Sequence, residues 1–212
     1  MSGLVYGILL CWAALCASSP SSLVRRQVFT GTCDEQGIKT AQESCFGALM
    51  SISGMQPASG VNVDADIRES CRTLKAANRC FQEEMKKCGA SGEILATMLS
   101  NVFEYACEEG LDIMLSEGDC WAHENFTSDI MGCSKTMEQS FNTMGYNGFC
   151  RATNEFIRCV GDRINSKTVC SEDAAWFMQE LFRRSIKPAA DMMKCFLNTR
   201  AIRSIVDMLR RK

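Results

Sequence analysis

The sequence predicts an all-α, disulfide-rich protein built from two related helical halves, and three observations predict it. Twelve of the fourteen cysteines lie beyond residue 32, in two successive sets of six. From Cys33 onward, apolar residues recur at helical spacing almost throughout. No convincing alternating strand pattern interrupts them, and no Asn-Gly hairpin signal stands between alternating apolar runs.

The first set is Cys33, Cys45, Cys71, Cys80, Cys88 and Cys107; the second is Cys120, Cys133, Cys150, Cys159, Cys170 and Cys195. Equivalent members are offset by 87, 88, 79, 79, 82 and 88 residues, so the sets run in step. An even number of ordered thiols in an exported chain reads as a disulfide framework, here used twice. Six cysteines per set leave about 15 pairings open. One restriction follows from geometry. The middle pair of each set is C-x8-C, and nine residues at about 100° each place Cys71 and Cys80, and likewise Cys150 and Cys159, on nearly opposite sides of a helix. They cannot bond to each other across a continuous helix, so each pair is expected to tether a central helix to two neighbours.

The division that follows is a signal peptide over 1–18, a flexible segment over 19–32, helical halves over 33–107 and 108–195, and a C-terminal helix over 196–212. Leu4 to Cys16 is an apolar run of about thirteen residues, too short for a bilayer and flanked by small residues suited to cleavage. Its removal would discard both leader thiols and leave the even dozen in a compartment where disulfides persist. The Ser-rich segment behind it holds Arg25-Arg26, a dibasic pair that could be processed to expose Gln27.

In the first half, Ile38, Ala41, Cys45, Ala48/Leu49 and Ile52 keep one face of a helix, which the loop SGMQPASGVN ends. Asp64 is expected to cap a second helix carrying Leu74, Ala77, Phe81, Met85 and Cys88. Ser91 is expected to cap a third, with Ile94, Leu95, Met98, Leu99 and Val102 on its apolar side. In the second half, Phe126, Ile130, Cys133, Met137, Phe141 and Met144 form the clearest amphipathic stripe. GYNG turns it into a helix with Phe149, Ala152, Phe156, Val160 and Ile164. Ser171 caps the next, whose first turn holds Glu172 and Asp173, where carboxylates suit the helix dipole. Pro188 is expected to kink or split that helix before Cys195. Beyond Cys195, Ile202, Ile205, Val206 and Leu209 make an apolar stripe among Arg200, Arg203, Arg210, Arg211 and Lys212. That pattern fits a last helix on the scaffold, or a basic amphipathic helix meeting an anionic surface.

Chemistry finds little foothold. The single histidine, His123, follows Cys120 and Trp121, and no G-x-S-x-G elbow or phospholipase-type His-Asp-Cys signature accompanies it. C-x2-C, H-x3-H and calcium-loop spacings are missing, so no cofactor or metal is expected. The adjacent acidic pairs Glu83-Glu84 and Glu108-Glu109 read as solvated helix faces. A net charge of −2 gives no footprint for nucleic acid, and no stretch is apolar and long enough to be a transmembrane segment. Asn125-Phe126-Thr127 is the one N-x-S/T sequon and the expected glycosylation site.

The stretch over residues 99–141, LSNVFEYACEEGLDIMLSEGDCWAHENFTSDIMGCSKTMEQSF, resembles the invertebrate haemolymph glycoprotein family first named from insects. Cys150, Cys159 and Cys170, closed by Cys195, resemble that family's carboxy-terminal half, and nematode secreted helical domains look similar. The resemblance spans roughly residues 33–195 and implies an exported, helical, cystine-stabilised glycoprotein without established chemistry. The expected role is therefore not enzymatic: structural or binding, in body fluid or extracellular matrix, with an extracellular protein, the matrix or an apolar ligand as partner. A shell, cuticle or egg-coat component is a neighbouring expectation. A lipid carrier is another, its cavity lined by Met98, Phe141, Phe156, Trp176 and Phe177.

Overall fold

A computed structural model describes residues 35–52, 63–144 and 148–197. The leader, the segment with Arg25-Arg26, Cys33, the loop over 53–62, the GYN of the GYNG turn and residues 198–212 lie outside the described residues. Within them the chain is helical, with no strand. The helices are α1 (Glu35–Ile52), α2 (Val63–Lys86), α3 (Gly89–Glu104), α4 (Leu111–Ser116), α5 (Gly118–Ala122), α6 (Phe126–Met144), α7 (Phe149–Asn165) and α8 (Glu172–Met192). A π-helical turn, Tyr105–Glu109, extends α3.

Packing follows one linear order. In that order α1 lies on α2, α2 on α3, α3 on α8, α8 on α7 and α7 on α6. Each set of cysteines thus owns a three-helix layer, and the two layers meet through their third helices. The core is continuous across this meeting, from Phe46, Phe81 and Leu99 through Tyr105 and Phe177 to Phe156 and Ile164. On α2 the buried residues Ile67, Cys71, Leu74, Ala77, Phe81 and Met85 recur every three or four positions, as a helix with one covered face requires.

The disulfides satisfy the opposite-sides restriction. Cys71 bonds Cys107 at the end of α3 and Cys80 bonds Cys45 on α1, with Cα separations of 5.5 and 5.6 Å. In the second layer Cys150 bonds Cys195 and Cys159 bonds Cys133 on α6, at 5.2 and 5.8 Å. Cys120 bonds Cys170 just ahead of α8, at 4.7 Å. Numbered within its set, the second framework is 1–5, 2–4, 3–6, and the first shares 2–4 and 3–6.

Three local expectations need correction. α2 begins at Val63, so Asp64 sits inside the first turn, a position that suits a carboxylate as well as the cap does. α3 begins at Gly89, ahead of Ser91, because Gly89 takes the left-handed φ of 63° that reverses the chain directly after Cys88. The reversal is tight: a Cβ on Gly92 would lie 2.2 Å from the Met85 carbonyl oxygen. Ser171 does cap α8, its Oγ accepting from the Ala174 amide at 3.1 Å.

Pro188 does not split α8, which runs unbroken to Met192. Proline has no N–H to give to the carbonyl four residues back, which is that of Arg184. That carbonyl accepts instead from Asn101 Nδ2 on α3, at 3.0 Å. A residue of the first layer thereby repairs the helix of the second.

Two outcomes test this account. Asn101→Ala should cost about 1 kcal/mol in chemical denaturation by leaving the Arg184 carbonyl without its donor. Adding Pro188→Ala, which restores a backbone N–H, should recover most of that loss; an additive pair would refute the repair. Cys88 is disulfide-bonded, and the shared order predicts Cys33 as its partner, which peptide mapping without reduction would show directly.

Candidate functional site

The place where the two layers meet gathers several large buried aromatics and a cluster of four charged side chains. Tyr105 stacks on Phe177 at 5.4 Å, Phe177 meets Trp121 at 5.6 Å, and Trp121 meets Phe126 edge-on at 5.4 Å. Trp121 is held by its Nε1, which donates to the Met114 carbonyl at 2.9 Å. The Gly110 amide bonds the Tyr105 carbonyl at 2.8 Å, closing the π turn. This wider turn sends three successive side chains to three partners: Cys107 to Cys71, Glu108 to Lys75 at 2.7 Å, and Glu109 to Arg184.

Arg184 is the hub. Its Nη1 and Nη2 grip Glu109 as a fork at 2.7 and 2.6 Å, and its Nε donates to Glu180 Oε1 at 2.8 Å. Its guanidinium lies 4.4 Å over the Tyr105 ring, a cation–π contact. Arg183 completes the cluster with two hydrogen bonds to Glu180, which is buried. Burial pushes the Glu180 carboxyl up, but the hydrogen bonds from Arg183 and Arg184 outweigh it and hold it below the ordinary range. The hydrogen bond from Arg184 likewise lowers Glu109. Both guanidiniums are held more firmly protonated, Arg184 chiefly by Glu109 and Arg183 chiefly by Glu180. Two carboxylates and two guanidiniums neutralise one another here. The arrangement is a clamp, because each charged group is already committed to a fixed partner.

The acidic pairs therefore divide. Glu83 pairs with Lys86 along α2 and Glu84 with Lys87 just past its end, as a solvated face does. Glu109 is exposed too, and it also ties the end of α3 to α8, a role its neighbours in sequence do not betray. Glu180, Arg183 and Arg184 stand at helical spacing and were open to recognition; their partner 75 residues away was not.

His123 is half-buried between α5 and α6, and its Nδ1 accepts the Asn125 amide at 3.2 Å. Its visible work is to shape that turn. Asn125 itself is exposed at the start of α6, its carbonyl accepting from Ser128 Oγ at 2.9 Å and from the Asp129 amide at 3.0 Å. The neighbouring Phe126 is buried against Trp121, so the sequon turns its asparagine outward and its phenylalanine inward.

The five residues expected to line an apolar cavity fall in different settings. Phe156 is buried against Phe182 at 4.9 Å, and Phe177 lies between Tyr105 and Trp121. Trp176 is half-buried and meets Tyr105 edge-on at 6.2 Å, and Met98 is half-buried on α3. The Phe141 side chain lies outside those described. The two buried rings are thus already faced by protein aromatics. Among the described residues no three His, Cys, Asp or Glu side chains gather as metal ligands would, and no helix is long and apolar enough to cross a membrane.

No protein-family model, curated protein or solved structure matches the chain.

The clamp fixes a pH dependence. Both glutamates are lowered from their ordinary value of 4.5, so their contribution is complete above that pH and disappears as pH falls through the lower folded-state values. Glu180→Gln should therefore destabilise the protein at pH 7 by about 1–3 kcal/mol. The gap to the wild type should narrow in acid, as thermal melts across pH 2–7 would show.

Proposed function

We propose that the chain is an exported, non-enzymatic, disulfide-stabilised helical glycoprotein with a structural or binding role in body fluid or extracellular matrix. The observation that carries this reading is the oxidised framework: every one of the eleven cysteines from Cys45 to Cys195 is disulfide-bonded. Such a framework persists in an oxidising compartment and is dismantled in a reducing one. The apolar leader and the outward-turned Asn125 support the same destination. So does the resemblance to haemolymph glycoproteins.

A scaffold role is supported by how the chemical side chains are used. His123 shapes a turn, the Glu109–Arg184 pair holds α3 to α8, and Glu180 binds Arg183 and Arg184 along α8. What such a role offers a partner is the surface of a helical body cross-linked by disulfides.

Expression of the full chain in a eukaryotic secretory cell tests the reading. The protein should accumulate in the medium with no thiol titratable after denaturation. It should also carry a glycosidase-sensitive mass that Asn125→Gln removes. Retention inside the cell with free cysteines would overturn export; an unglycosylated secreted product would remove the glycoprotein part alone.

A further inference from the structure

We propose that the Cys45–Cys80 bridge is a site of thiol–disulfide exchange, opened by an external dithiol ahead of the other four described bridges, and that its opening frees α1 from α2. The C-x8-C interval gives the two cysteines of α2 opposite surroundings. Cys71 faces the interior at 7% exposed, and its partner Cys107 is 8% exposed. Cys80, nine residues on, is exposed, and its partner Cys45 is half-buried. Among the described cysteines Cys80 alone is exposed. In the remaining bridges Cys120 and Cys133 are fully buried, while Cys150 and Cys195 are both half-buried. An attacking thiolate must reach a sulfur directly, so access sets the order in which bridges open.

The helix this bridge secures is the one with least else to hold it. α1 stands at the end of the helix order and packs chiefly on α2. Of its described side chains only Ala41 and Phe46 are buried. Phe46, beside Cys45, meets Phe81 at 5.7 Å and Phe103 at 5.8 Å. An outer element with so few buried contacts opens locally at low cost once its cross-link is gone. Charge does not guard the bond. The acids within four residues of it are paired: Glu43 with Lys39, Glu83 with Lys86 and Glu84 with Lys87. Arg79, exposed and next to Cys80, favours an approaching thiolate.

The exchange runs in two steps. A thiolate of the dithiol attacks Cys80 Sγ, the Cys45–Cys80 bond breaks, and a mixed disulfide forms while Cys45 leaves as a thiolate and takes a proton. The dithiol's second thiolate then displaces Cys80, which is protonated in turn. Two electrons have passed to the protein, and the reductant departs as a disulfide. Around Phe46 the contact of α1 with α2 now rests on packing alone, and withdrawal of the helix uncovers Phe81 and Phe103. The buried Cys71–Cys107 bond keeps α2 on the end of α3 meanwhile.

Limited reduction of the full-length oxidised protein by dithiothreitol, with iodoacetamide trapping and peptide mass spectrometry, tests this. Cys45 and Cys80 should be alkylated at least about tenfold faster than any cysteine of the other four described bridges. Hydrogen exchange in α1 should then accelerate by about tenfold or more while α8 keeps its protection. Cys45→Ser with Cys80→Ser should give the same exchange pattern with no reductant present. Another described bridge opening first, or all five opening together, would overturn the exchange site. Unchanged protection of α1 in both the alkylated protein and the serine variant would overturn its release.

Discussion

Nine residues of α-helix turn through two and a half revolutions, and two sulfurs placed that far apart face away from each other. Cys71 and Cys80 on α2, and Cys150 and Cys159 on α7, are separated by this interval. Neither pair can close on itself, so each central helix must be bonded on both flanks. α2 is held between α1 and the π turn after α3; α7 is held between α6 and the chain following α8. The order of helices within each layer follows from that requirement, and so does the placement of Glu109 and Phe196, each close in sequence to one of these sulfurs.

Covalent and non-covalent forces divide the labour. The bonds close loops of 26 to 50 residues, and each native bridge of this kind stabilises a domain by about 2–5 kcal/mol. Every one of these five joins members of the same set. Between the layers, burial and polar contacts act instead: Tyr105 against Phe177, the Glu109–Arg184 fork, and Asn101 on the Arg184 carbonyl. Arg184 takes part through its side chain and its backbone alike, so the layer contact and the continuity of α8 across Pro188 are one local problem.

Much of the architecture was legible because it is encoded at short range. The 3.6-residue period marked the helices, Ser171 announced the start of α8, and the C-x8-C interval restricted the disulfides. The misread points share a cause. Pro188 looked like a break because its compensation lies on α3, and the ion pair of the exposed Glu109 went unseen because its partner sits on α8. The π turn leaves no periodic trace at all, since one widened turn shifts the register without altering composition. The early start of α3 rests on a backbone approach between Gly92 and Met85. At the candidate site, then, the helix-borne triad of Glu180, Arg183 and Arg184 could be read, whereas its long-range closure could not.

The contact between α3 and α8 makes the two layers depend on each other. Equivalent helices of the two sets face one another, so each completes the hydrophobic interior of the other. A lone six-cysteine unit would leave the buried side of its third helix wet, and a second copy of itself would be the natural cover.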